Sequence, residues 1–112
     1  MEVNKKIYAP DELVPFMAIH PGEMLKDELE ARGISQNKFA KLIGCSSSFL
    51  SEIINGKRSI TTETALKIEA ATGIKAHIWV DLQSEYNMQM ARNDSKLSSI
   101  LKGIRSASAA MF

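Results

Sequence analysis

Lys57 and Arg58 stand side by side directly after Asn55 and Gly56, and Lys38 and Lys41 lie earlier in the same stretch. Adjacent cations of this kind make charge-assisted hydrogen bonds to phosphate oxygens. Around them are Gln36, Ser46, Ser47, Ser48, Ser51 and Glu52, short side chains that donate to or accept from base edges. Phosphate-seeking cations next to small hydrogen-bonding groups suit a nucleic acid, provided that a scaffold presents them on one surface.

The spacing of the intervening residues supplies that scaffold. Ser35 is a good N-cap, because its hydroxyl can accept from an unpaired N–H of a first helical turn. Phe39, Ala40 and Ile43 then fall on one apolar helical face. Ala40 is small where a following helix must cross closely, and Gly44 can take the positive φ that turns the chain. Ser46 is a second N-cap, and Phe49, Leu50, Ile53 and Ile54 form the buried stripe of the next helix. Asn55 with Gly56 is also a strong hairpin signal. The flanks have helical rather than alternating periodicity, so Gly56 reads as the residue just past a helix end. The pattern predicts a helix-turn-helix whose second helix enters the major groove of DNA, with a plain helical hairpin as the alternative.

Composition limits what else the chain can be. Its 112 residues are enough for one domain with a modest core. A net charge of +1 alone argues weakly against nucleic acid, so the distribution matters more. Glu23, Asp27, Glu28 and Glu30 outweigh Lys26 and Arg32 in residues 21–33, whereas residues 36–58 set four cations against Glu52 alone. A local basic surface of this size predicts salt-sensitive affinity for one copy and therefore a dimer. No run is apolar enough to cross a membrane, no signal core follows the N-terminus, and Cys45 is the single cysteine. A cytoplasmic location is the expectation.

Elsewhere the chain reads as all-α. Residues 1–19, broken by Pro10 and Pro15, form an extended arm in which Ile7, Tyr8, Leu13, Val14 and Phe16 pack on the domain or on a partner. A first helix starts near Pro21, capped by His20, with Met24, Leu25 and Leu29 inward and Gly33 at its end. Thr61 caps a fourth helix, in which Ala65, Leu66, Ile68 and Ala71 supply apolar contacts and Gly73 closes the run. A fifth helix covers about 76–92, where Trp79, Leu82 and Tyr86 are either core or a dimer seam. In the tail, Leu97, Ile100, Leu101 and Ile104 mark a short amphipathic helix that lies on its own protomer or docks on a partner protein. The Ala- and Ser-rich residues 106–112 are expected to be disordered.

Residues 20–92 resemble the HigA-type antitoxins of the Xre helix-turn-helix family. The resemblance is carried by His20 through Leu25, Ser35 and Gln36, residues 51–58, Ile60 and Thr61, Thr64 through Leu66, and residues 79–83 with Tyr86, Ala91 and Arg92. The His20, Pro21, Gly22, Glu23 opening and the run from Trp79 to Gln83 are its specific part. It implies a five-helix, lambda-repressor-like domain at residues 20–92, preceded by the arm and followed by a partly helical tail at 93–112. It also implies a bacterial homodimer that binds an inverted repeat in its own promoter and neutralises a neighbouring mRNA-cleaving toxin. In similar repressors a glutamine at the position of Gln36 anchors a phosphate; its plainer role is to start the helix.

Ser46, Ser47, Ser48, Ser51 and Glu52 then face the major groove, with Asn55, Lys57 and Arg58 on the sugar-phosphate chain. Related sequences carry Arg or Gln where this chain has serines, and serine discriminates bases poorly. Readout is therefore expected through backbone contacts, water and DNA shape. Glu52 either accepts from a cytosine amino group or is a solvated charge, and Lys38 and Lys41 contact phosphate or merely face solvent. Two other readings compete: a stand-alone repressor without a toxin, and an interaction module that no longer binds DNA. No enzyme, metal site or cofactor is expected, since His20 and His77 lack ligand spacing and Cys45 sits in a turn without a partner.

Overall fold

The computed structural model describes residues 19–112. The arm expected at 1–19 lies, apart from Ile19, outside the described residues. Those described form α1 (Pro21–Arg32), α2 (Gln36–Ile43), α3 (Ser47–Ile54), α4 (Thr62–Thr72), α5 (Ala76–Arg92) and α6 (Ser95–Ala109), with no strand among them. No helix among them is long and apolar enough to cross a membrane.

Helix starts follow the capping residues. The hydroxyls of Ser35, Ser46 and Thr61 accept from the backbone N–H of Lys38, Phe49 and Thr64 at 3.2, 3.0 and 3.2 Å. His20 does the same for α1, its Nδ1 accepting from the Gly22 N–H at 2.9 Å. The stop of α3 resolves the Asn55–Gly56 ambiguity. Gly56 is left-handed at φ 77°, its N–H donates to the Ile53 carbonyl at 3.0 Å, and Lys57 N–H donates to that of Glu52 at 2.8 Å. That pair of bonds ends a helix and makes no hairpin.

The helices of the unit Ile19–Asn87 enclose one core. Leu25, Leu50, Ile53, Ala65, Ile68 and Trp79 have no exposed surface, and Phe39 and Ala40 are nearly as buried. α3 packs on α1 and α2, and α2 packs on α4. Phe49 and Leu66 are less enclosed than expected. Phe49 is only half-buried at the edge of the α3 stripe, and Leu66 is 52% exposed, so Thr64, Ala65 and Ile68 form the inner face of α4. Periodicity places these residues beside the apolar face but does not say how far the neighbouring helix covers it.

Two buried polar side chains tie α5 to the rest of this unit. Gln83 Oε1 accepts from the Ile60 N–H at 2.8 Å, and its amide donates to Asn87 Oδ1 at 3.0 Å. This satisfies a buried backbone donor where the chain enters α4. His20 receives the ring of Tyr86 edge-on, with centroids 4.8 Å apart.

Met88–Phe112 belongs to a second compact unit, so the division falls within α5. There Asp94 caps α6, accepting from Lys96 and Leu97 N–H at 2.8 and 3.3 Å. The disorder expected from 106 onward is not what the chain shows, because α6 continues to Ala109. Ala107 and Ala109 are strong helix formers, and no proline interrupts the run. None of its residues is buried, and Ile100 and Ile104 are more than half exposed.

Gly22 is required by contact. A Cβ at this position would meet the Ile53 carbonyl oxygen well inside van der Waals distance. Gly22→Ala should destabilise the protein by about 1–3 kcal/mol, the usual cost of overpacking, read as a lower urea midpoint with an unchanged m-value.

Candidate nucleic-acid interface

The starts of α2 and α3 build a shared polar surface. Gln36, Asn37, Ser47, Ser48, Ser51 and Glu52 line one shallow groove. A neighbouring groove continues from Asn37 and Ser47 to Lys38, Lys41 and Ser46. Most of the residues singled out in the sequence therefore lie on one continuous surface. Lys57 and Arg58 follow on the loop after α3, and Lys57 is exposed with no ion pair among the described residues.

Several of these groups already have partners. Ser46 commits its oxygen to the α3 cap. Asn55 turns its amide back to donate to Ser51 Oγ at 3.2 Å. Ser47 Oγ donates to Asn37 Oδ1 at 2.7 Å, an exposed bond that joins the starts of α2 and α3. Asn37 is an addition to the site residues expected from the sequence. Its one sequence signal is its place beside Gln36 at the start of α2.

The largest departure concerns Glu52 and Arg58. Arg58 donates from Nε to Glu52 Oε1 at 2.8 Å, with Nη2 at 2.6 Å from the same oxygen, and its guanidinium lies 4.6 Å over the Phe49 ring. Glu52 is thus paired through one carboxylate oxygen and remains nearly half exposed. Phe49 packs against the edge of the core and also serves as a platform for the cation. Both side chains of the pair are nearly half exposed, where ion pairs contribute about 0–1 kcal/mol. A phosphate oxygen can take Arg58 from Glu52 at little cost. Until it does, the unpaired cations of this surface are Lys38, Lys41 and Lys57.

Of the three residues expected as core or dimer seam, Trp79 is fully buried within its own protomer. Its Nε1 has no hydrogen-bond partner among the described residues. Leu82 and Tyr86 are half-buried and retain surface. Burial pushes the Cys45 thiol up, with nearby Lys67 opposing, so the thiol stays protonated near neutrality. Burial likewise holds His20 below the ordinary histidine value, against the Glu23 carboxylate and a hydrogen bond with the Arg58 backbone.

Residues 25–79 match the helix-turn-helix family. The virulence-associated protein I of Dichelobacter nodosus is 38% identical over 85 residues, covering 75% of this chain and 79% of the relative. A solved addiction module antidote protein of the HigA family from Coxiella burnetii is 35% identical, with a TM-score of 0.67 over 81% of this chain and 95% of its own. The Pseudomonas aeruginosa antitoxin HigA, solved with the higBA promoter, is 33% identical with a TM-score of 0.64, covering 67% of this chain and 83% of its own. The chain belongs to the Xre-type helix-turn-helix family, among the HigA antitoxins.

Charge competition at Glu52 has a measurable consequence. Glu52→Gln frees Arg58, so binding to duplex DNA should tighten and its salt slope steepen by about one. Weaker binding in titrations at two salt concentrations would instead put Glu52 itself against a base.

Proposed function

We propose that this chain is the antitoxin of a bacterial type II toxin–antitoxin module, which binds operator DNA in its own promoter and neutralises a cognate mRNA-cleaving toxin. The observation that carries the DNA half is the single polar surface running from Gln36 across Ser47, Ser48 and Ser51 toward the loop of Lys57 and Arg58. Likeness to an antitoxin solved with promoter DNA supports the same half. The serines set direct base discrimination low, so preference comes from backbone contacts, bridging water and the ease of shaping the duplex.

Few free cations per protomer imply that two protomers bind together, on the two halves of an inverted repeat. Such a protein works in the cytoplasm and performs no catalysis of its own. A repressor without a toxin would use the same surface.

Replacing Lys57 and Arg58 together by alanine should weaken binding to the upstream duplex and lower the salt slope by roughly one for each phosphate no longer neutralised. Both residues lie outside the core, so the thermal midpoint should hold. An unchanged slope would move phosphate binding to another surface. For the toxin half, expression of the neighbouring short reading frame should arrest growth, and co-expression of this chain should relieve the arrest. Toxicity without rescue, or no toxicity, leaves the repressor alone.

A further inference from the structure

Asn37 and Ser47 are the two residues common to both grooves of the polar surface. They lie near the starts of α2 and α3, and both are exposed. Ser47 Oγ donates to Asn37 Oδ1 at 2.7 Å. That length is typical of an O–H···O bond and shorter than most N–H···O bonds, so the Ser47 proton lies between the two oxygens. The amide hydrogens of Asn37 then sit on the other side of its carboxamide.

The direction of this bond sets the polarity of the serine. A free hydroxyl rotates and can donate or accept, which is why serine sorts bases poorly. Ser46 and Ser51 are bonded the other way, accepting from the Phe49 N–H and from Asn55 Nδ2. Their own protons stay available. Ser47 points its proton at Asn37, so toward a ligand in the groove it presents only lone pairs.

We propose that Asn37 is a positioning residue that makes Ser47 an acceptor, so that Ser47 selects a base carrying an amino group in the major groove, adenine or cytosine. This rests on the DNA-binding reading above and sets Ser47 apart from the other serines of that surface. The keto oxygen of thymine or guanine would meet the lone pairs of Ser47 head-on. To donate to that oxygen, the hydroxyl must leave Asn37 and its Oδ1 becomes unpaired beneath the duplex. One bond is then merely exchanged for another, and an acceptor is left without a partner. An amino group instead donates to Ser47 while the Asn37 bond stays intact. Exclusion of water by the docked duplex strengthens both bonds of this short chain.

Every base pair shows one amino and one keto group in the major groove, and turning the pair end for end exchanges them at constant composition. The probe is the duplex immediately upstream of this chain's own reading frame, with one base pair at a time turned. It is titrated with the full-length protein, alongside thermal unfolding. For the wild type, turning at least one pair should weaken binding roughly three- to tenfold, the range expected for one hydrogen bond. Ser47→Ala should abolish that difference at the same pair, and so should Asn37→Ala, which lets the hydroxyl rotate.

Asn37→Asp keeps an acceptor for the hydroxyl. It should retain the difference, although its charge weakens binding to every version of the duplex. Both positions are exposed, so all three variants should melt near the wild-type temperature. At the pair so identified, purine in place of adenine, or pyrimidin-2-one in place of cytosine, removes the amino group. That replacement should cost the wild type affinity and leave Ser47→Ala indifferent, and the analogue that acts tells adenine from cytosine.

If every such difference survives in Ser47→Ala or in Asn37→Ala, the proposal is overturned, as it is by a wild type that tolerates each turned pair. Loss of the difference in Asn37→Asp as well would make the Asn37 amide the reader, and would also overturn it. Absence of wild-type binding to the duplex, with the protein folded, sinks the DNA-binding reading itself, and this proposal with it.

Discussion

The close approach of α1 to the end of α3 is the constraint on which the rest of the DNA-binding unit depends. With no side chain at Gly22, the first turn of α1 comes against the Ile53 carbonyl. Leu25 and Leu29 then follow into the core beside Leu50 and Ile53. The same approach brings His20 under the loop that leaves α3 at Gly56. Pro21 suits this crowded start, because the first helical position has no use for an N–H and its fixed φ already matches the helix. The four residues from His20 to Glu23 thus form a joint between the helix that packs and the helix that reads.

Electrostatics around that joint are more economical than a count of charges implies. Glu52 sets against Arg58 the one acid of residues 36–58 and takes up one of the four cations. The surface pair is weak, so it directs the guanidinium across Phe49 without committing it. Hydroxyls dominate the rest of the groove. Ser47 and Ser51 hold Asn37 and Asn55, and this internal bonding makes the polar surface stiffer than a row of free serines would be.

Features set by residues close in sequence are legible without the structure. Ser35, Ser46, Thr61 and His20 reach N–H groups two or three residues on, so residue type and position identify them as caps. Periodicity alone leaves Trp79 between core and seam, and its complete burial decides for core. Contacts that cross the fold leave no such trace. The Asn37–Ser47 and Gln83–Ile60 bonds span 10 and 23 positions, and the Arg58 platform at Phe49 depends on how the loop folds back. Leu66 and Phe49 depart from expectation for a related reason, since an apolar stripe has edges and only the packed neighbour shows which are covered. At the end of α6, serine-rich composition points to disorder, and the helix propensity of the alanines outweighs it.

Gly44 and Gly56 close α2 and α3 with bonds that reach back only three to five residues, as in Cys45 N–H to the Ala40 carbonyl. Chain reversals made this way need no distant strand or long loop to be in place first. Relative contact order is correspondingly low, and helical domains of that kind fold in about microseconds to milliseconds. Synthesis at roughly 5–20 residues per second is far slower. Translation, rather than folding, therefore sets how soon the unit Ile19–Asn87 is native once its last residues leave the ribosome.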